Sequence, residues 1–160
     1  MSDEPTRTRL KLPTAYGAPL DSPLLDWSTV VERLQKAERY WLATADHHAA
    51  PISRPLDGVW LDNAFYFGGD PATRWRRNLA KNSRACLSVD DTTNPVIVEG
   101  LVFIAPLDEE LAFTVAEVTQ AKYGWGSVEQ FKNETCVFRP LRCIAWIGLF
   151  QNATRFQFRD

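Results

Sequence analysis

The sequence predicts a mainly β fold: an antiparallel β-barrel with peripheral helices. Three observations carry that expectation. Six to eight short apolar runs with β-type residues recur along the 160-residue chain, and most are separated by tight turns, which favours antiparallel pairing. Only two or three segments show helical periodicity. A strand-rich chain of this size commonly closes into a barrel, because closure removes exposed sheet edges.

In chain order, residues 1–25 are polar and Pro-rich (Pro5, Pro13, Pro19, Pro23) and read as an extended N-terminal arm, disordered or lying on a partner surface. Residues 26–160 read as one barrel domain. Asp26 can cap a helix running to about Arg39, with Val30, Val31, Leu34 and Ala37 as its apolar stripe. Tyr40 to Ala45 is a strand and Asp46 to Ala49 a turn. Ile52 to Leu61 and Ala64 to Gly68 form a hairpin about Asp62-Asn63. Asp70 or Thr73 caps a short helix ending near Lys81, with Pro71 suited to its first position. Strands follow at Arg84 to Val89 and Pro95 to Ile104, joined by a polar turn at Asp90 to Asn94. Leu107 to Ala121 is helical (Leu107, Leu111, Val115, Val118), with acids early in the segment, where the helix dipole favours them. Lys122 to Lys132 is loop or short helix. Thr135 to Arg139, Arg142 to Phe150 and Thr154 to Phe158 are the closing strands.

Composition narrows the function. Hydrophobic residues make up 45% of the chain, which excludes a disordered polymer. A net charge of −2 argues against a general nucleic-acid binder. Cys86, Cys136 and Cys143 are odd in number and widely spaced, so neither a disulfide framework nor a zinc site is expected, and buried inert thiols are. No apolar run approaches the roughly 18 to 20 residues of a membrane span, and no signal peptide is evident. A reducing cytoplasm is the expected compartment, which makes the two glycosylation sequons accidental.

The richest stretch for chemistry runs from Pro51 to Leu79. Two β-type runs lead through Gly68-Gly69 into a helix whose first turn holds Thr73, Arg74, Arg76 and Arg77. Free amides at a helix start favour an anion, and hydroxyl and guanidinium groups add directed donors. Arg74 and Arg77 share a helix face, while Arg76 points elsewhere. Charge alone favours a solvated basic helix face. Arg54 sits among Ile52, Pro55 and Leu56 in a core-type strand, where its charge needs a partner or a ligand; Asp57 and Glu99 are possible partners. Trp146 and Arg155 could border a flat ring, or be a core Trp and a surface Arg. His47-His48 lies in a turn, without the spacing of a helical metal site. No hydrolase, zinc-protease, P-loop or dinucleotide motif is present, and no nucleophile–base pair stands out. That absence fits chemistry carried by a cofactor.

These residues carry a family resemblance. The YWLATA strand (Tyr40 to Ala45), the stretch RPLDGVWLDNAFYFGGDPATRWRRNLAKNSRACLSV (Arg54 to Val89), VIVEG (Val96 to Gly100) and AWIGLFQNATRFQF (Ala145 to Phe158) resemble the pyridoxamine 5′-phosphate oxidase-like superfamily. These are the FMN-binding split β-barrel proteins, of antiparallel Greek-key type. The likeness is nearest to small oxidases and reductases that include deazaflavin-dependent members.

The resemblance implies a homodimer with one cofactor in each of two interface clefts. It assigns cofactor phosphate to Arg54 and to the Thr73-Arg74-Trp75 group. Backbone at Phe67 and Gly68 would approach the ring or ribityl chain. Arg77 and Asn78 occupy the family's Arg-Asn-Leu segment, and Trp146 and Arg155 match its C-terminal Trp and Arg, reaching in from the second subunit. Two positions depart from the pattern. Trp75 replaces the usual phosphate-group Lys, removing a cation and adding an aromatic surface. Pro95 replaces a Gln often found before the VIVEG-type strand, and can donate no hydrogen bond. Features for pyridoxal phosphate recognition are not apparent. The expected function is an FMN- or deazaflavin-dependent oxidoreductase that passes hydride to or from a small organic substrate. Arg76 and Arg84 could meet the longer acidic tail of a deazaflavin. The alternative is a non-catalytic flavin or haem carrier or sensor, with His47 and His48 as the haem feature. A third reading is a barrel without cofactor, its site filled by Trp75. No nucleic acid, membrane or metal is expected.

Overall fold

The chain folds around a strand that changes partners halfway along. In the computed structural model, which describes residues 4–159, this is β8 (Thr135–Ile147). Its first half pairs with β5 (Ala64–Phe67) and its second with β9 (Gln151–Gln157). Along its other side, β7 (Val96–Ala105) pairs with both halves. From β7 the sheet continues through β6 (Arg84–Val89) and β2 (Tyr40–Ala45) to the edge strand β3 (Pro51–Leu56). Beyond β9 lies β1 (Thr6–Arg9), and β4 (Val59–Leu61) pairs only with β5. Every pairing is antiparallel. This is the mainly β split barrel that the family resemblance implies, with nine strands among the described residues rather than six to eight.

The partner change has a local cause. Glu99 pairs with Arg142 but Gly100 pairs with Pro140, so Leu141 is an extra residue in a β-bulge. A Cβ on Gly100 would lie 2.2 Å from the Arg139 carbonyl oxygen, so only glycine allows the close approach. Pro140 sits at the bulge, where its missing N–H disturbs no regular ladder. The break expected between Arg139 and Arg142 is therefore one continuous bent strand. A second correction falls at Asp57-Gly58. The run from Ile52 to Leu61 is not one strand: β3 pairs with β2, then the chain turns and β4 pairs with β5. A Cβ on Gly58 would meet the Phe65 ring at 2.3 Å, so glycine permits the crossing. The β4–β5 turn at Asp62-Asn63 has positive φ at both residues, as a tight primed hairpin requires.

Alternation fills the barrel. Tyr40, Leu42, Leu87, Val96, Val98, Phe138 and Phe156 face inward and are fully buried. Helix α1 (Trp27–Lys36) closes one end with Trp27, Val30 and Leu34. The Trp27 indole packs 5.1 Å from Phe156 and donates to Asn63 Oδ1 at 2.9 Å. A second apolar cluster lies outside the barrel. There α3 (Glu109–Tyr123) and α4 (Val128–Asn133) cover Val59, Ala64, Tyr66 and Val137. Asp108 and Ser127 cap these two helices through their side chains.

The N-terminal arm is extended, but it lies on its own barrel. Strand β1 pairs with β9, the Leu10 amide donates to Ala153, and the Leu25 amide donates to the Thr154 hydroxyl. Leu10 and Leu25 are buried. The Asp26 carboxylate does not cap α1; it pairs with Arg7 of the arm. Pro71 lies in the turn before α2 (Arg74–Lys81), rather than at the first helical position.

Candidate functional site

The best-supported anion site is the start of α2. Thr73 is its N-cap in extended conformation, but the hydroxyl turns back to the Asp70 carbonyl at 2.8 Å and caps nothing. No acid lies in the first turn, whereas α3 has Glu109 and Glu110 there and α4 has Glu129. The amides of Arg74, Trp75 and Arg76 meet no acceptor among the described residues. Their partial positive charges and the helix dipole point at the same spot. Arg74 is exposed beside them, and Arg77 donates to the Ala72 carbonyl, which braces the turn.

Packing fixes the direction of α2. Asn78 is buried and donates to the Thr44 hydroxyl at 3.2 Å, and Asn82 donates to the Ala45 carbonyl at 3.4 Å. These bonds hold the middle and end of α2 against the Thr44–Ala45 end of β2. Leu42 pairs directly with Arg54 on β3. Cross-strand partners share a face, so Arg54 projects from the inward-register face of an edge strand. It is exposed there, and its hydrogen bond goes to the Ser53 carbonyl at 2.8 Å. Both carboxylates that could have neutralised it are engaged elsewhere: Asp57 with Arg39 at 2.9 Å and Glu99 with Arg142 at 2.5 Å. Arg54 is left as a cation without a carboxylate among the described residues, on the edge strand next to β2.

The other expected site residues divide into groups. Phe67 is 1% exposed, so its ring belongs to the core and only its backbone borders the Gly68-Gly69 loop. Trp75 lies on the barrel side of α2. Its indole packs 5.7 Å from Phe67 and so close to Gly69 that a Cβ there would lie 2.2 Å from it. Trp75 therefore clamps the loop before the helix. Asn78 holds α2 to β2. Trp146 and Arg155 lie on the outer barrel wall, on β8 and β9. β8 is four strands from β3, roughly 19 Å along the sheet. One chain does not bring them to Arg54. The Trp146 ring lies tilted against Phe150 at 5.3 Å, and Arg155 Nε is buried with no hydrogen-bond partner among the described residues.

Sequence reasoning missed the role of Arg76. It is 5% exposed and reaches Glu134 Oε1 at 2.5 Å and Cys136 Sγ at 2.9 Å, tying α2 to the start of β8. Burial opposes its charge, while the Cys136 sulfur and Glu134 outweigh that effect and raise its pKa. Burial likewise pushes the Cys136 thiol up, with Arg76 pulling the other way. Arg76 is therefore committed to structure, and its alternation with Arg74 and Arg77 was the only signal. His47 and His48 are exposed on the β2–β3 turn and pack on each other at 3.8 Å. No cluster of three or more His, Cys, Asp or Glu able to hold a metal occurs among the described residues. Among the described residues no helix is long and apolar enough to cross a membrane.

Comparison with known proteins agrees with this architecture. No curated protein sequence matches the chain significantly. Among solved structures, an F420 reductase superposes with a TM-score of 0.55 at 22% identity, covering 70% of this chain and 93% of that one. HutZ, the haem storage protein of Vibrio cholerae, gives 0.60 at 17% identity, covering 78% and 97%. The conserved hypothetical protein Rv2991 of Mycobacterium tuberculosis gives 0.61 at 14% identity, covering 89% and 90%. At these identities the likeness shows the fold. The family model for pyridoxamine 5′-phosphate oxidase matches residues 27–138, most of the barrel, and this chain belongs to that family.

Proposed function

We propose that the protein binds a phosphorylated flavin-type cofactor, FMN or a deazaflavin, and acts as an oxidoreductase on a small organic substrate. The observation that carries this reading is the uncapped start of α2, on a helix packed against β2, together with an unneutralised Arg54 on the neighbouring edge strand. Three free amides, Arg74 and Arg54 form a donor set suited to a phosphate monoester. The residues present fit the anionic end of such a cofactor without the Lys that Trp75 replaces. When bound, the cofactor supplies hydride transfer.

The chain's own residues bind, orient and shield. Arg54 and the α2 amides hold phosphate, and Arg76 and Asn78 keep the helix start in place. Trp75 holds the Gly68-Gly69 loop against Phe67, so the backbone beside the cofactor is rigid. Trp146 and Arg155 would take part only across a dimer, supplied by a second copy. The outer wall that carries them also presents Ala43, Cys86, Ile97 and Ile144 beside the Glu99–Arg142 ion pair, a mixed surface of the kind found at protein interfaces. The resemblance to HutZ raises haem as a ligand, but His47 and His48 stand exposed on a turn, packed on each other, which favours the flavin reading.

The test is fluorescence titration with FMN and with a deazaflavin coenzyme. Arg54→Ala and Arg74→Ala should each weaken binding about tenfold, the size of a lost charge-assisted hydrogen bond. Absence of micromolar binding to either cofactor would remove the enzyme reading.

A further inference from the structure

A groove of about 610 Å³ lies on the outer face of the barrel, beside the α3–α4 layer and away from α2. Register builds it. Tyr66, Val137 and Phe103 form one cross-strand row on β5, β8 and β7, and Arg139 pairs with Leu101 in the next. The floor is thus apolar: Leu101, Val137 and Phe103, the last 48% exposed. Asp62, Asn63 and Arg159 also line the groove, and two polar groups stand on the floor itself. The Arg139 guanidinium lies over the Phe103 ring at 5.9 Å, and no carboxylate among the described residues pairs with it. Tyr66 is 7% exposed and lines the groove, yet its hydroxyl makes no hydrogen bond among the described residues.

The hydroxyl is open to the groove rather than fully buried, so it and the Arg139 guanidinium stand there as two donors without a protein acceptor among the described residues. Burial raises the Tyr66 pKa, Asp62 raises it further and Arg139 lowers it. The hydroxyl therefore stays protonated as a donor and senses two charged groups of this groove. We propose that the groove binds a small monocarboxylic acid with an apolar body, its carboxylate received by Arg139 and the Tyr66 hydroxyl. The body would lie on Phe103 and Leu101. Asp62 at the rim disfavours a dianion such as phosphate, which separates this ligand class from that of the α2 site.

Phenylacetate and neutral phenylacetamide are the probes, titrated into full-length isotope-labelled protein and followed by amide chemical shifts. Phenylacetate should shift residues 64–66, 101–103 and 137–139, with a dissociation constant on the order of 1 mM. Arg139→Ala should weaken it about tenfold and Tyr66→Phe about threefold or more, while phenylacetamide binds no better to wild type than to Arg139→Ala. Arg139 is exposed and Tyr66→Phe keeps the ring, so both variants should fold. Shifts elsewhere, equal binding of acid and amide, or insensitivity to both substitutions would overturn the proposal. None of these readouts depends on a cofactor, so the α2 site and the groove stand or fall separately.

Discussion

Lys122 provides the sharpest quantitative prediction. Its ammonium sits 4.7 Å from the centre of the Tyr40 ring and 5.1 Å from that of Tyr123, and donates to Tyr40 Oη at 2.7 Å and the Gly58 carbonyl at 3.2 Å. Burial pulls its pKa from 10.5 down to about 8, against the opposing pull of Asp57 and Glu38. The unfolded chain keeps the proton up to about 10.5, while the folded chain releases it near 8. Between those values the unfolded state binds more protons, so this group makes stability rise with pH; below pH 8 the cost of the half-buried charge is fully present. At about 1.4 kcal/mol per pH unit the ceiling is about 3.4 kcal/mol, and partial solvation of the ammonium reduces the expectation to about 1–2 kcal/mol. Burial also raises the Tyr40 hydroxyl and the Cys143 thiol. Those groups act in the opposite sense, losing stability as pH rises through their unfolded values. Lys122→Met isolates the lysine, because the other groups are common to both proteins. Urea unfolding at intervals from pH 7 to 10 should show wild type gaining about 1–2 kcal/mol on the variant across that range. A pH-independent difference would refute the linkage.

Two other predictions concern the frame that holds the site. Gly58→Ala forces a methyl group into the Phe65 ring and toward the Tyr66 carbonyl oxygen at 2.8 Å, and should destabilise by about 3 kcal/mol or more, read as a drop in Tm. Glu134→Ala leaves the Arg76 guanidinium buried without its carboxylate and should cost about 2 kcal/mol, whereas Arg76→Met should stay within about 1 kcal/mol of wild type in chemical denaturation. A larger loss from Arg76→Met than from Glu134→Ala would contradict the buried-charge account.

The strands and the start of α2 were legible because local patterns determine them. Tyr40 to Ala45 alternates cleanly, Arg84 to Val89 is bounded by turn residues, and Asp62-Asn63 is a strong hairpin signal. The basic first turn after Gly68-Gly69 also stands out without any fold. The break at Gly58 and the continuity through Pro140 were not legible. Each depends on a neighbour distant in sequence: the Phe65 ring in one case, the offset pairing of β7 with β8 in the other.

Residue chemistry by itself determined the fold class, the absence of a nucleophile–base motif and the location of a basic helix start. Only the tertiary structure decided which cations are available. Arg54, Arg74 and Arg76 look alike in sequence, but long-range partners separate them. Glu134 and Cys136 commit Arg76 to the interior, while Arg39 and Arg142 take the carboxylates that could have neutralised Arg54. Charge is a property of the residue, but whether that charge is spent or free depends on which groups the fold brings within a few ångströms of it.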